Sequence, residues 1–388
     1  MKCILILILI LTSKMAMSDF FKNISNLIEN NADRLSYGVS VADINNDNKF
    51  EFIVAGFRYP NLALGFRDGV LKNLINNSIF SDQKRSTIGV ASCDINQDGM
   101  EETYFLNTDT YSGEKKYSDR LLNFKQEITD LFELPKNQKN LNLTAGRSVV
   151  CVDRKGDGKY GIYVANYGGP TRFYELNNNL IRDIAPELKI DKVTGGRAVV
   201  AGHILGNKMD IFAANERGPN FLYLNEKDQF YNVSTEYNTD DVLQNGRGTT
   251  LSDFLYRGSL DIINGNWEGF HRIFVNNETT FNDMASKEFR IPSRIRTIIS
   301  ADFDISTITT NNYSETGHYF YHAPLSSGGF VASMDFSPDI AYQRFSSSGA
   351  SVGSKINVPD MILLSFLATK HLICSGNFAR KNLISSKE

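Results

Sequence analysis

The sequence predicts an all-β protein of the β-propeller class. A short apolar segment that ends in aspartate returns about every 50 residues. A second apolar segment follows most of these anchor segments about ten residues later, and no sustained helical stripe runs through the repeats. A unit of this length has room for four short strands, which make one propeller blade. Because one blade cannot bury both faces of its sheet, several blades are expected to pack around an axis.

The anchor segments keep a nearly constant spacing, with intervals of 51, 59, 49, 51 and 49 residues. Five end in aspartate and one carries glycine at that position. They are YGVSVAD at Asp43, IGVASCD at Asp94, RSVVCVD at Asp153, RAVVAGH with Gly202 in place of Asp, RGTTLSD at Asp253 and RTIISAD at Asp302. A solenoid is the competing repeat architecture, but its units are usually helical or single-stranded per turn.

The second segment ends in Asn or Gly and reads FIVAG, TYFLN, IYVAN, IFAAN and IINGN in the first five repeats. Such short apolar runs, bounded by turn residues, are typical of strands. The chain also contains 17 Tyr and 26 Phe, residue types that favour β-structure. Each of these repeats is therefore predicted to begin with two adjacent strands.

The 388-residue chain could form two or three ordinary domains or one large β-rich domain. With 41% apolar and 22% charged residues it has the composition of a globular protein with an ample core. The formal net charge of −3 provides no extended basic field. This argues against nucleic acid and against an anionic membrane surface as general partners.

Residues 1–18 have the pattern of a secretory signal peptide: Lys2 precedes the apolar run Ile4–Leu11, and small and polar residues follow. The alternatives are a buried first strand and a signal anchor, but a bilayer span needs roughly 20 apolar residues. The run 361–374 is also too short, so no membrane span is predicted. Six glycosylation sequons accompany the signal, at Asn23, Asn76, Asn142, Asn232, Asn277 and Asn312. Those at Asn76, Asn142, Asn232 and Asn277 are the predicted glycan sites.

Two cysteines, Cys93 and Cys151, occupy equivalent parts of successive repeats. They could meet as a disulfide in an oxidising compartment, which would leave Cys374 unpaired. The alternative is that both are small buried apolar residues.

The turns after the first two anchors carry an oxygen-bearing side chain at alternate positions. The first comprises Asp43, Asn45, Asp47 and Glu51, with Lys49 contributing its backbone carbonyl. The second comprises Asp94, Asn96, Asp98 and Glu102, with Met100 contributing its carbonyl. Ca²⁺ takes six to eight hard oxygen ligands, so both turns are predicted to bind structural calcium. The alternative is an ordinary hairpin turn, because Asp, Asn and Gly favour turns without a metal.

The later turns lose this pattern. The third keeps only Asp153 and Asp157 as a weak candidate for metal. In the fifth, Asp253 and Asp261 flank an arginine at position 257, and the fourth retains a carboxylate only at Asp210. The fourth and fifth turns are predicted to be free of metal.

The combined pattern of strand, acidic turn and second strand resembles the FG-GAP repeats of integrin α-subunits and related propellers. The stretches IGVASCDINQDGMEETYFLNT, NERGPNFLY and IINGNWEGFHRIFVN are more similar still to the cartilage acidic protein 1 family. The similarity covers about residues 36–304. It implies a roughly seven-bladed, calcium-binding, secreted glycoprotein of the matrix or cell surface, with no established catalysis.

These observations divide the chain into a signal peptide (1–18), a propeller with five clear repeats and a broken sixth (19–304), and a divergent Ser-rich tail (305–388). The tail is interpreted as a truncated or aberrant last part of the ring.

Two functions are consistent with a propeller of this kind: a module that binds an extracellular protein or glycan, and a hydrolase or lyase with a pocket on the axis. The chain has no GxSxG and no HExxH motif, which argues against an enzyme. A GxGxxG match at residues 156–161 is followed by a strand rather than by the helix that dinucleotide binding needs. Carboxylates confined to turns would favour the binding module, whereas His, Arg and acidic groups converging on the axis would favour the enzyme.

Overall fold

The computed structural model describes residues 24–255, 257–301 and 319–324. Within this part of the chain the strands form five four-stranded antiparallel units, here called blades 1 to 5, and a sixth strand pair. Blade 1 contains β1 (Val39–Ala42), β2 (Glu51–Val54), β3 (Leu62–Arg67) and β4 (Val70–Asn73). Blade 2 contains β5 (Thr87–Cys93), β6 (Glu102–Asn107), β7 (Arg120–Asn123) and β8 (Thr129–Asp130). Blade 3 contains β9 (Gly146–Val152), β10 (Gly161–Pro170), β11 (Arg172–Asn177) and β12 (Leu180–Asp183).

Blade 4 contains β13 (Val193–Gly202), β14 (Asp210–Asn215), β15 (Phe221–Glu226) and β16 (Gln229–Asn232). Blade 5 contains β17 (Gly246–Ser252), β18 (Asp261–Asn266), β19 (Arg272–Asn276) and β20 (Phe281–Asp283). The sixth pair is β21 (Ile295–Ala301) with β22 (Tyr319–Pro324). In the described ranges, helical structure is limited to the four-residue α1 (Ser78–Ser81) and to 3₁₀ turns at Ser25–Leu27, Leu131–Glu133 and Pro135–Asn140.

Strand order within every blade follows chain order, and the first strands of successive blades pack against one another. These first strands are the repeated anchor segments, and they lie innermost, around a common axis. Blades 3 and 4 are also joined where the end of β10 pairs with the start of β13. The arrangement confirms the predicted all-β propeller class.

In blades 2 to 5 the second strand is apolar on both faces because it is buried between two neighbouring units of the propeller. In β6, Tyr104 packs toward blade 3 and the next residue, Phe105, packs toward blade 1. In β10, Ile162 and Tyr163 divide in the same way between blades 2 and 4. Successive side chains of a strand point to opposite faces, so an uninterrupted apolar run is what two-sided burial requires.

An asparagine in the second strand of blades 2 to 5 has a structural role; it ends the strand in blades 2, 4 and 5 and lies within β10 in blade 3. Its amide nitrogen donates to a backbone carbonyl between that asparagine and the third strand, at 2.6–2.8 Å. The four residues are Asn107, Asn166, Asn215 and Asn266. The bond satisfies a loop carbonyl that the ladder leaves without a partner and fixes where the chain turns back into the third strand.

A disulfide joins Cys93 on β5 to Cys151 on β9, across a sequence separation of 58 residues. Both sulfurs lie in the apolar layer between blades 2 and 3. The bond therefore links two neighbouring blades near the axis.

The strand β22 shows that part of the predicted tail takes part in the fold, since its backbone pairs antiparallel with β21. The signal peptide, Asn23, Asn312, Cys374, the anchor end at Asp302 and the rest of the tail lie outside the described residues. No helix in the described ranges is long and apolar enough to cross a membrane.

Candidate functional site

The acidic turns of blades 1 to 3 connect the first and second strands of these blades and lie side by side at one end of the propeller. The backbone nitrogen of Asp43 donates to Glu101 of the second turn at 3.0 Å. The backbone nitrogen of Tyr160, beside the third turn, donates to the carbonyl of Asp94 at 3.3 Å, and Gln97 donates to the carbonyl of Asp157 at 2.9 Å. The first three turns therefore form one continuous surface.

In the second turn, side-chain oxygens wrap the backbone. The Oδ1 and Oδ2 atoms of Asp94 accept from the backbone nitrogens of Asp98 and Gly99 at 3.1 and 2.9 Å. Asn96 Oδ1 accepts from the same Asp98 nitrogen at 2.8 Å, and Asp98 Oδ1 accepts from the Met100 nitrogen at 3.1 Å. Gly99 has a φ of +89°, a conformation that glycine adopts without strain. The alternating pattern in the sequence thus produces a tight loop with its oxygens gathered inward.

The first turn repeats this geometry. Asp43 accepts from the backbone nitrogens of Asp47 and Asn48 at 3.0 and 2.7 Å. Asn45 Oδ1 accepts from the Asp47 nitrogen at 3.0 Å, and Asp47 Oδ1 accepts from the Lys49 nitrogen at 2.9 Å. The two turns are therefore structurally equivalent, as their shared spacing predicts.

The two turns differ in how the charge of their last predicted ligand is balanced, which is Glu51 in the first turn and Glu102 in the second. Glu51 and Glu102 are both buried, and burial raises the pKa of each. In the first turn, Arg67 Nη2 lies 3.1 Å from Glu51 and 2.8 Å from Asp47, so a cation already balances these carboxylates. No Lys or Arg in the described residues pairs with Glu102, which accepts only from Asn123, Asn96 and the backbone nitrogen of residue 95.

Burial, followed by the charges of Asp98 and Asp94, raises the pKa of Glu102 to about 7. Lys125 lies 3.1 Å from Asp98 but does not reach Glu102. The second turn is thus a place where an added cation would balance a buried carboxylate.

The donor atoms of the second turn match those that Ca²⁺ prefers, since all are carboxylate, amide or carbonyl oxygens. Among the residues that the structure describes, no three carboxylate, imidazole or thiol groups converge as they stand. Calcium coordination would require the carboxylates of Asp94, Asp98 and Glu102 to turn toward a common point. Because Lys125 is half-exposed on the surface, its contact with Asp98 is a weak obstacle.

In the third and fifth turns an arginine pairs with a carboxylate of its own blade. Arg154 pairs with Glu175 on β11, and the strand position that carries Glu102 in blade 2 is Gly161 in blade 3. In the fifth turn, Arg257 Nη2 lies 3.0 Å from Asp261 Oδ1. A guanidinium thus neutralises each of these carboxylates, which agrees with the loss of the ligand pattern in the sequence.

The structure corrects one predicted glycosylation site. Asn76, Asn232 and Asn277 are exposed, but Asn142 is fully buried. Its Nδ2 atom donates to Asp119 at 2.7 Å and to the side chain of residue 166 at 3.0 Å. A glycan on that nitrogen would remove these bonds and would have no space, so the Asn142 prediction is wrong for the folded chain.

Two other sequence features have structural explanations. His271 is buried, with its Nδ1 accepting from the Asn266 backbone nitrogen at 3.0 Å and its Nε2 lying 3.0 Å from Ser293 Oγ. Residues 156–161 lead directly into β10, so the GxGxxG match is a hairpin turn.

The structure also brings together residues that sequence reasoning did not single out. Arg147, Arg197, Arg247 and Arg296 are the first letters of four successive anchor segments. The sequence does show an arginine at the same position of these four repeats, at the start of the segment.

Curated proteins similar to this chain share one name. Cartilage acidic protein 1 of Xenopus tropicalis is 42% identical over 307 residues, which are 71% of this chain and 47% of that protein. The Homo sapiens protein of the same name is 40% identical over 310 residues, or 71% of this chain and 46% of its own length. This chain therefore spans about half the length of these relatives.

No protein-family model matches the chain. Among solved structures, BBS1N in complex with ARL6DN resembles it over 76% of this chain and 78% of that chain, with 10% identity and a TM-score of 0.46. The Dos1 propeller resembles it over 67% of this chain and 61% of that chain, with 10% identity and a TM-score of 0.42.

Proposed function

Because the chain belongs to the cartilage acidic protein 1 family, we propose that it is an extracellular, calcium-binding propeller that binds an extracellular protein or glycan. The signal-like N-terminus, the exposed sequons and the Cys93–Cys151 disulfide support an oxidising, extracellular setting. The calcium part of the proposal rests on the second acidic turn.

The observation that carries it is the buried carboxylate of Glu102, which has Asp94 and Asp98 beside it and no cationic partner among the described residues. A calcium ion would supply the missing positive charge and tie the turn to β6. Asp94, Asn96, Asp98 and Glu102 would provide side-chain oxygens and Met100 its carbonyl. In the first turn Arg67 already provides part of that charge, so we expect weaker calcium binding there.

Thermal unfolding in millimolar calcium and in excess chelator tests this role, because a ligand that binds only the folded state raises its stability. The wild-type midpoint should rise with calcium, and Glu102→Gln should abolish most of the rise while keeping the shape of the side chain. Glu187→Gln removes an exposed carboxylate elsewhere and serves as the matched control. An unchanged wild-type midpoint, or an equal loss in the control, would contradict the proposal.

We favour binding over catalysis because the charged groups near the axis lack an acid and base pair in the described residues. His271 is enclosed by blade 5. The carboxylate of Glu216 is engaged in ion pairs with Arg197 and Arg247.

A further inference from the structure

Four arginines occupy one register position on successive innermost strands. They are Arg147, Arg197, Arg247 and Arg296, separated by 50, 50 and 49 residues. Arg147, Arg247 and Arg296 are the second residues of their strands and Arg197 is the fifth residue of the longer β13, whereas the turn to the second strand follows the end of each strand. With a rise of roughly 3.3 Å per residue, the six residues from Arg147 to Asp153 place the two groups about 20 Å apart. The arginine cluster therefore lies at the opposite end of the propeller from the acidic turns.

Each arginine reaches the residue that follows the asparagine in the second strand of the preceding blade, namely residue 108, 167, 216 or 267. Arg147 Nη1 donates to Thr108 Oγ1 at 2.6 Å. Arg197 lies over the Tyr167 ring, 4.2 Å from its centroid. The other two contacts are Arg247 Nη2 with Glu216 at 3.2 Å, and Arg296 with the Trp267 ring at 5.3 Å. The repeat thus brings together four guanidinium groups, from blades 3, 4 and 5 and from the sixth strand pair.

The cluster carries excess positive charge. Glu216, which contacts Arg197 and Arg247, is the carboxylate that pairs with it among the described residues. Burial, and then the charges of neighbouring arginines, lowers the pKa of Arg147 to about 10. The pKa of Arg247 also falls to about 10, from burial first and then from Arg197. The guanidinium groups therefore repel one another, and an anion between them would relieve the repulsion.

Two hydrogen-bond donors in the cluster lack an acceptor. The Nε atoms of Arg147 and Arg247 are buried and have no hydrogen-bond partner within the described part of the chain. Leaving a buried donor unsatisfied costs about 1–3 kcal/mol, more when the group is charged. Unsatisfied donors beside unbalanced positive charge are what an oxygen-bearing anion would satisfy.

We propose that the arginine cluster binds a tetrahedral oxyanion, the sulfate or phosphate group of a larger ligand or the free ion. A carboxylate is satisfied by one guanidinium fork, whereas four groups that approach from different blades match oxygens that point in several directions. Tyr111 lies at the edge of the cluster, 62% exposed and within 5.6 Å of the Arg147 guanidinium. Its ring offers an apolar contact to the part of the ligand that carries the anion.

The site itself does not depend on calcium or on secretion. The source of the oxyanion does rest on the proposed extracellular role, which favours a sulfate ester on a glycan over free phosphate. The experiment therefore has one arm for the site and another for the source.

The first arm measures the affinity for inorganic sulfate and for inorganic phosphate by calorimetry, with sodium chloride held at equal ionic strength. We expect saturable binding to the wild type and at least a tenfold loss in Arg247→Gln and in Arg147→Gln. Arg182→Gln, which removes the same charge from an exposed pair with Glu187, should bind like the wild type. Arg247→Lys keeps the charge but loses the fork, and it should also bind more weakly.

Thermal unfolding midpoints measured in chloride alone establish that each variant is folded. If Arg247→Gln does not fold, Arg247→Lys replaces it as the test variant. Equal loss in Arg182→Gln, or wild-type binding no tighter for sulfate than for chloride, would overturn the site. The second arm compares an immobilised sulfated oligosaccharide with its desulfated form. Retention of the wild type only on the sulfated form supports the glycan source. If inorganic sulfate binds but both forms fail to retain the protein, the glycan source is refuted and the oxyanion site stands.

Discussion

Removing the disulfide should cost this propeller a large part of its stability. The perturbation is the double variant Cys93→Ala with Cys151→Ala, which deletes the bond and leaves the rest of the two strands unchanged. The bond closes a loop of 58 residues between blades 2 and 3. A cross-link of this span lowers the entropy of the unfolded chain by an amount worth about 4 kcal/mol near 25 °C in the loop-closure model.

The assay is equilibrium unfolding in urea, with the wild type measured oxidised and reduced. The reduced wild type keeps both side chains and loses only the bond, so it separates the cross-link from the volume that the alanines remove. Both the reduced protein and the double variant should unfold at clearly lower urea, and the double variant should lose slightly more because the cysteines lie in an apolar layer. Equal midpoints for oxidised and reduced protein would refute the loop-closure argument.

Three further predictions concern buried polar groups and the second acidic turn. Lys115→Met should destabilise the protein by about 3–5 kcal/mol, because Asp119 would stay buried without its ion-pair partner. Urea unfolding measures the loss, and a loss of less than about 1 kcal/mol would contradict the prediction. Asn277→Gln should reduce the glycan mass of secreted protein. Asn142→Gln should leave the glycan mass unchanged and lower the thermal unfolding midpoint. Detection of a glycan on Asn142 by mass spectrometry would refute this prediction. In chelator, Glu102→Gln should be at least as stable as the wild type, because it removes a buried carboxylate that has no cation beside it. A lower thermal midpoint of the variant in chelator would contradict this prediction.

The acidic turns show which features of the candidate site can be predicted from residues close together in the sequence. Asp94, Asn96 and Asp98 bond to backbone nitrogens within five residues, so their geometry follows from spacing alone. The first turn adopts the same form for the same reason. Whether the last carboxylate of a turn is already paired with a basic side chain depends on the third strand of the blade. Arg67 provides that cation for Glu51, and no described residue does so for Glu102.

The sequence by itself determined the repeat length, the strand pairs and the acidic turns, because these depend on residues close together in the chain. Only the tertiary structure decided that Asn142 is buried, that Cys93 lies against Cys151, and that four arginines meet. Each of these depends on contacts between blades, which are about 50 residues apart in sequence. Burial and charge balance are set by such distant neighbours, so a column of arginines gains its chemistry only when the blades close around the axis.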